Sequence, residues 1–155
     1  MFDNRIGSAY NTIVRIPQIV IDTNVLVAGL KSRRGYAHRL LQLVGTGRFD
    51  INLSVPLVVE YEEVLYRLAL DLGITDQVVD DVLNYHCSVA RLHRIFFLWR
   101  PYLPDTSDDM VLELAVKAGC DYIVTFNKRH FRDCERFGVQ AVSPGEFLAF
   151  MGAAT

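Results

Sequence analysis

The run Gln18-Ile19-Val20-Ile21-Asp22-Thr23-Asn24-Val25-Leu26 constrains this chain more than any other stretch. Successive apolar residues fill both faces of a strand, and a strand buried on both faces belongs in the middle of a parallel sheet. In open α/β sheets ligands bind outside the carboxyl ends of such strands, and this one ends on the carboxylate of Asp22. A single Asp at that point also has an ordinary use as the cap of a turn. Its meaning therefore depends on which other polar groups reach it.

Composition narrows the class of molecule. The 155 residues suit one domain burying roughly two-thirds of its unfolded surface. Hydrophobic residues make up 51% and charged residues 22%, as in an ordinary globule. No apolar run approaches the roughly 18 residues of a membrane span. A formal net charge of −2 offers nucleic acid no global attraction, so such a partner must be held by local basic patches or by a metal. Cys87, Cys120 and Cys134 form no Cys-x-x-Cys pair, and an odd count argues against a disulfide framework and for a reducing, cytoplasmic setting. Met1 to Pro17 lacks the apolar core and cleavage site of a secretory signal. It is expected to be an N-terminal extension ahead of a domain over 18–151.

Along the chain, elements of the two periods alternate. Thr23 or Asn24 is expected to cap a short helix, followed by the loop Lys31-Ser32-Arg33-Arg34-Gly35, whose cations suit either phosphate binding or plain solvation. Ala37, Leu40, Leu41 and Val44 predict a helix, the alternation from Phe49 to Leu53 a strand, and the stripe Leu57, Tyr61, Val64, Leu65, Leu68 a long helix. Thr75-Asp76 starts another helix, in which His86 and Cys87 read as structural. A strand is expected from about Leu92 to Phe97, a helix over Met110 to Ala118, and strands at Tyr122 to Thr125 and Gly138 to Val142. Ser143-Pro144-Gly145-Glu146 combines an N-cap, a proline and a glutamate in the pattern of a capping box. Strand and helix in alternation predict a three-layer α/β/α domain with a mainly parallel sheet.

Helix angles sort the acidic residues. At about 100° per residue, Glu60 lies roughly 70° from the centre of its helix's apolar stripe, at the edge of the core, while Glu62 and Glu63 face water. In Asp105-Thr106-Ser107-Asp108-Asp109, acids at a helix start complement its dipole and need no catalytic role. Yet Asp108 projects toward the buried face set by Val111, Leu112, Ala115 and Ala118, whereas Asp109 is expected to turn away and Glu113 to form an outward pair with Lys117. A buried lone carboxylate is costly. Asn127, like Asp22, follows a strand's carboxyl end.

Asp22, Glu60, Asp108 and Asn127, with Asp105 beside them, are thus expected to converge. Close carboxylates repel by a few kcal/mol per pair at an effective dielectric near 20, so a cation belongs among them. All-oxygen ligands favour a hard ion such as Mg²⁺ or Mn²⁺, able to acidify a water and to neutralise phosphoryl charge.

Ile21-Asp22-Thr23-Asn24-Val25-Leu26, Ser54 with Glu60 and Glu63-Val64-Leu65, Asp105-Thr106-Ser107-Asp108, Val124-Thr125-Phe126-Asn127 and Ser143-Pro144-Gly145-Glu146-Phe147-Leu148 together resemble a PIN domain. More narrowly, the chain resembles the VapC-like toxin components of type II toxin–antitoxin systems, from about Ile19 to Phe150. The resemblance implies a Mg²⁺- or Mn²⁺-dependent endoribonuclease with Asp22, Glu60 and Asp108 as catalytic metal-site acids and Asp105 as a further ligand. Asn127, Asn24 and Thr125 would be accessory polar groups, and Lys31, Arg33, Arg34, Lys128 and Arg129 would face the RNA backbone. Many PIN domains carry Asp where this chain has Asn127, which removes one charge and weakens the case for two ions. The resemblance also implies a homodimer silenced by a small antitoxin. An RNA-maturation nuclease without antitoxin, a phosphatase and a non-catalytic binding platform are the competing readings. The phosphatase lacks its second Asp at position 24.

Overall fold

The computed structural model describes residues 15–95 and 106–152. Strand β1, Gln18–Ile21, is buried along its whole length, as its unbroken apolar run requires. On one side it pairs with β2, Asp50–Ser54, and β2 pairs with the edge strand β3, Arg91–His93. On the other side lies β4, Tyr122–Val124, followed by β5, Gln140–Val142. The order is β3-β2-β1-β4-β5 and every pairing is parallel. All carboxyl ends therefore lie on one rim, and the strand order reverses between β1 and β4, where such sheets open a crevice.

Helices cover both faces: α1 (Thr23–Lys31), α2 (Tyr36–Leu43), α3 (Val55–Leu72), α4 (Asp76–Val89), α5 (Thr106–Lys117) and α6 (Pro144–Phe150). The buried residues fall into two packed clusters. Val20, Leu53 and Ile123 pack with Leu57, Tyr61 and Leu65 of α3, Val79 and Leu83 of α4, and Leu112 and Ala115 of α5. Ile19, Ile21, Ile51 and Val124 belong to the second cluster, with Ala37 and Leu40 of α2 and Phe147 and Leu148 of α6. Phe147 anchors that second layer edge-on to Phe49 and Tyr122, with ring centroids 5.4 and 5.5 Å away. Each such large side chain, removed fully from water, contributes about 1.5–3 kcal/mol. This is the three-layer α/β/α architecture expected from the alternation.

Local signals explain most boundaries. Ser54 caps α3 by accepting from the N–H of Leu57, and Gly73 ends that helix at φ 67°. Thr75 caps α4. Ser143 and Glu146 form both halves of the capping box on α6. Four expectations need correction. The cap of α1 is Asp22 itself, accepting from the N–H of Thr23; neither Thr23 nor Asn24 serves, because the helix begins one residue earlier. Among the described residues the third strand is Arg91–His93; Arg94 and Ile95 lie past its end, and 96–97 of the expected span fall outside the described residues. Asp109 and Glu113 do not face outward: they are 6% and 3% exposed. Helix α5 is enclosed by three strands, by α3 and by the turn after β4, so side chains well off its apolar stripe are also covered.

Candidate functional site

The rim at the β1–β4 reversal is built from the backbone outward. The N–H of Asp22 bonds the carbonyl of Val124 at 2.9 Å, extending the β1–β4 ladder past the last strand residue. The Asp22 side chain then turns back as the cap of α1. Its Oδ1 accepts from the N–H of Thr23 at 2.9 Å, and its Oδ2 accepts from the hydroxyl of Thr125 at 2.7 Å and from Nδ2 of Asn24 at 3.2 Å. Thr125, fully buried, accepts in turn from the N–H of Asn127 at 2.9 Å. Oδ1 of Asn24 accepts from the N–H of Phe126 at 3.3 Å. Asn24 and Thr125 thus tie the start of α1 to the end of β4. Asn127 contributes through its backbone, with its side chain exposed.

Glu60 and Asp108 approach from two helices. Glu60, half-buried on α3, accepts a hydrogen bond from the hydroxyl of Thr23, the residue next to Asp22. At the next residue, the hydroxyl of Tyr61 donates to the carbonyl of Ile21, seating α3 on the last residue of β1. Asp108, buried in the first turn of α5, faces Nδ1 of His130 at 3.0 Å across the turn Lys128–Phe131. Burial raises the Asp22 carboxyl above its usual value, and the nearby Glu60 charge raises it further, against the hydrogen bonds from Thr125 and Thr23 and the proximity of His130. Asp22 therefore feels both Glu60 and His130, and His130 touches Asp108. The rim carries all three expected acids.

Sequence reasoning gave two residues no part in the site. Thr23 links Asp22 to Glu60, and its only advance signal was its place beside Asp22. His130 pairs with Asp108; it was visible only as part of the basic run after Asn127, because nothing local indicates that α5 will meet it. Asp105 lies outside the described residues. Among the cations, Lys128 pairs with Glu146 at 2.8 Å, Arg129 is exposed, and Lys31, Arg33 and Arg34 lie at the far end of α1 and in the loop beyond it.

Among the described residues, no three His, Cys, Asp or Glu side chains already stand as a ligand group around one point. Glu60 is turned to Thr23 and Asp108 to His130. The donor chemistry nonetheless fits a hard cation: carboxylate oxygens at one rim, with Asp22 held above its normal pKa by burial and by a neighbouring acid. A positive ion there would favour the charged carboxylate.

The family model of the PIN domain matches residues 18–129, from β1 through the start of the turn after β4. No curated protein matches the sequence. Among solved structures, the fold is similar to one in the crystal structure of VapBC2 from Rickettsia felis bound to a DNA fragment from their promoter. The match has a TM-score of 0.53 at 12% identity and covers 80% of this chain and 98% of that one.

Proposed function

The chain belongs to the PIN domain family, and from that premise we propose that it is a divalent-metal-dependent endoribonuclease, the toxin of a toxin–antitoxin pair. PIN domains are generally nucleases and generally use divalent metal ions. The observation that carries the reading is the environment of Asp22. This carboxylate is buried at the strand-order reversal, held by Thr125 and the start of α1, and raised in pKa by burial and by Glu60. A purely structural cap has no need of a second acid so near.

Asp22, Glu60 and Asp108 would hold Mg²⁺ or Mn²⁺, with Asp105 as a further candidate. When bound, the ion supplies positive charge opposite the scissile phosphate and acidifies the attacking water. The remaining work belongs to the protein. Thr125 and Asn24 fix the rotamer of Asp22, Thr23 positions Glu60, and His130 steadies Asp108 from the solvent side. Lys128 and Arg129, immediately after Asn127, lie where the RNA backbone would approach. The antitoxin partner is supported by the VapBC2 similarity, which brings the same fold into a toxin–antitoxin setting.

The test is cleavage of a mixed RNA substrate with Mn²⁺ or Mg²⁺, with excess chelator as control, for wild type, Asp22→Asn and Asp108→Asn. Metal-dependent cleavage lost in both folded variants supports the reading. Cleavage that persists in chelator, or in both variants, overturns it. Co-expression with the adjacent open reading frame, scored by growth and co-purification, separates a toxin from a nuclease without antitoxin.

A further inference from the structure

A second feature lies away from the acids. Arg33, Arg34, Tyr36, His38 and Arg39 border an open cleft of about 400 Å³ at the α1–α2 corner. Several other described cations are paired with carboxylates: Arg15 with Asp121, Arg67 with Glu63, Arg91 with Asp50 and Lys128 with Glu146. Among the described residues, Arg33, Arg34 and Arg39 have no carboxylate partner within ion-pair distance. Helix α2 also begins there at Gly35 without a side-chain cap, so its first amides point outward unsatisfied by any side chain. His38 donates from Nδ1 to the carbonyl of Gly29, which fixes its ring against α1. Three guanidinium groups without a carboxylate partner, beside an open helix start, have the donor chemistry that suits a phosphate.

Tyr36 adds a second kind of group. It is 54% exposed although large and partly apolar. Its ring rests on Gly145, where an added Cβ would lie only 3.0 Å from the ring's Cδ2. The rest of the residue is largely open to solvent and borders the cleft. Gly145 stands in the first turn of α6, immediately beyond the carboxyl end of β5, and the next residue, Glu146, holds Lys128. The cleft thereby joins the rim that carries Asp22: from Asn127 and Lys128, across Glu146 and Gly145, to Tyr36 and the arginines.

We propose that this cleft binds a nucleotide of single-stranded RNA flanking the cleaved bond, its phosphate on Arg33, Arg34 and Arg39 and its base stacked on Tyr36. The assignment rests on the nuclease reading of the acidic rim. An exposed ring offers a face to an unstacked base, which a duplex does not present. An acidic peptide would satisfy the arginines but leave the ring without a function, so RNA is the occupant the surface favours.

Anisotropy of a fluorescein-labelled short oligouridylate, measured in chelator so that no cutting occurs, tests the cleft without requiring cleavage. The double variant Arg33→Gln/Arg39→Gln should weaken binding at least tenfold and reduce the magnitude of the salt slope by about 0.7, the counterion release of one single-strand phosphate contact. Tyr36→Ala should weaken binding roughly five- to hundredfold with the slope unchanged, and Tyr36→Phe should keep it. Arg67→Gln, remote and already paired, is the control. All these side chains are at the surface, and coincident melting curves confirm folding. Wild-type protein that fails to bind at low salt, cleft variants that bind as wild type does, equal affinity for a duplex, or displacement of the RNA by polyglutamate at lower concentration than by unlabelled RNA would each overturn the assignment. Cleavage with Mn²⁺ is scored separately. Cleft-dependent binding without cleavage upholds the cleft and removes the nuclease reading, and cleavage indifferent to the cleft variants does the reverse.

Discussion

Asp22 and Tyr36 stand on the same rim of one sheet, in opposite surroundings. Asp22 is 7% exposed, and its carboxylate accepts from a backbone amide, a buried hydroxyl and a side-chain amide. Tyr36 is 54% exposed, beside arginines that have no acidic partner among the described residues. The first arrangement fixes charge in place where water is excluded, which chemistry requires and which costs stability. The second leaves charge hydrated and mobile, at little cost, ready for a flexible polymer. On the proposed reading, cutting and holding would make different demands on burial, and the two regions would divide them.

The largest expected effect breaks the acidic region alone. Asp22→Asn should lower metal-dependent cleavage by about a hundredfold or more, within the range of losses seen when one charged catalytic contact is removed, and leave RNA binding in chelator within about twofold. Because burial raises the folded carboxyl above its usual value near 3.8, protonation of Asp22 favours the fold. That contribution is complete below the ordinary value and is lost as pH rises through the folded value. Asp22→Asn should therefore be neutral or stabilising near neutral pH, with a gain over wild type that grows from about pH 4 upward in urea titrations. Asn also retains the capping acceptor for Thr23.

Thr125→Val sharpens the comparison by removing a supporting group and keeping the acid. It takes a hydrogen bond from Asp22 and an acceptor from the amide of Asn127, both buried or partly so. A loss of about 1–3 kcal/mol in chemical denaturation is expected, with reduced cleavage and unchanged RNA affinity. Ser143→Ala should cost about 1 kcal/mol through the cap of α6 and should weaken RNA binding slightly, since α6 supports Tyr36 through Gly145. Smallest of all, Lys128→Gln should leave stability near pH 7 almost unchanged. Lys128, ahead of the Ser143 amide, holds the Glu146 carboxyl down to about 2. Its stabilising effect is present above the ordinary glutamate value and disappears as pH falls toward 2, so the variant and wild type should converge in acid.

Much of the frame was legible along the chain because its determinants are local. The apolar run of β1, the caps Ser54 and Thr75, and the Ser143–Glu146 box each lie within a few residues of the element they start. The edge position of Glu60 and the inward turn of Asp108 followed from helix angle alone, and both acids do reach the rim. Glu113 and Asp109 escaped the same geometry because their burial comes from neighbours on several sides of α5, which no single helix period reports. His130 meets Asp108 only after β4 and α5 are in place. Asn52 shows the converse difficulty. It occupies the polar position of an alternating strand yet is 1% exposed, satisfied by Gln18, the carbonyl of Ile19 and His93. A buried polar residue with a closed set of partners is structural; one with a second acid beside it at a strand end is the candidate for chemistry.

Calorimetric titration of Mn²⁺ into metal-free protein, wild type beside Asp22→Asn, tests the acidic rim most directly. Saturable binding to the wild type, absent or at least tenfold weaker in the folded variant, is the expected result. Equal binding by both, or none by either, would contradict a metal site at Asp22 and leave its carboxylate as the structural cap of α1.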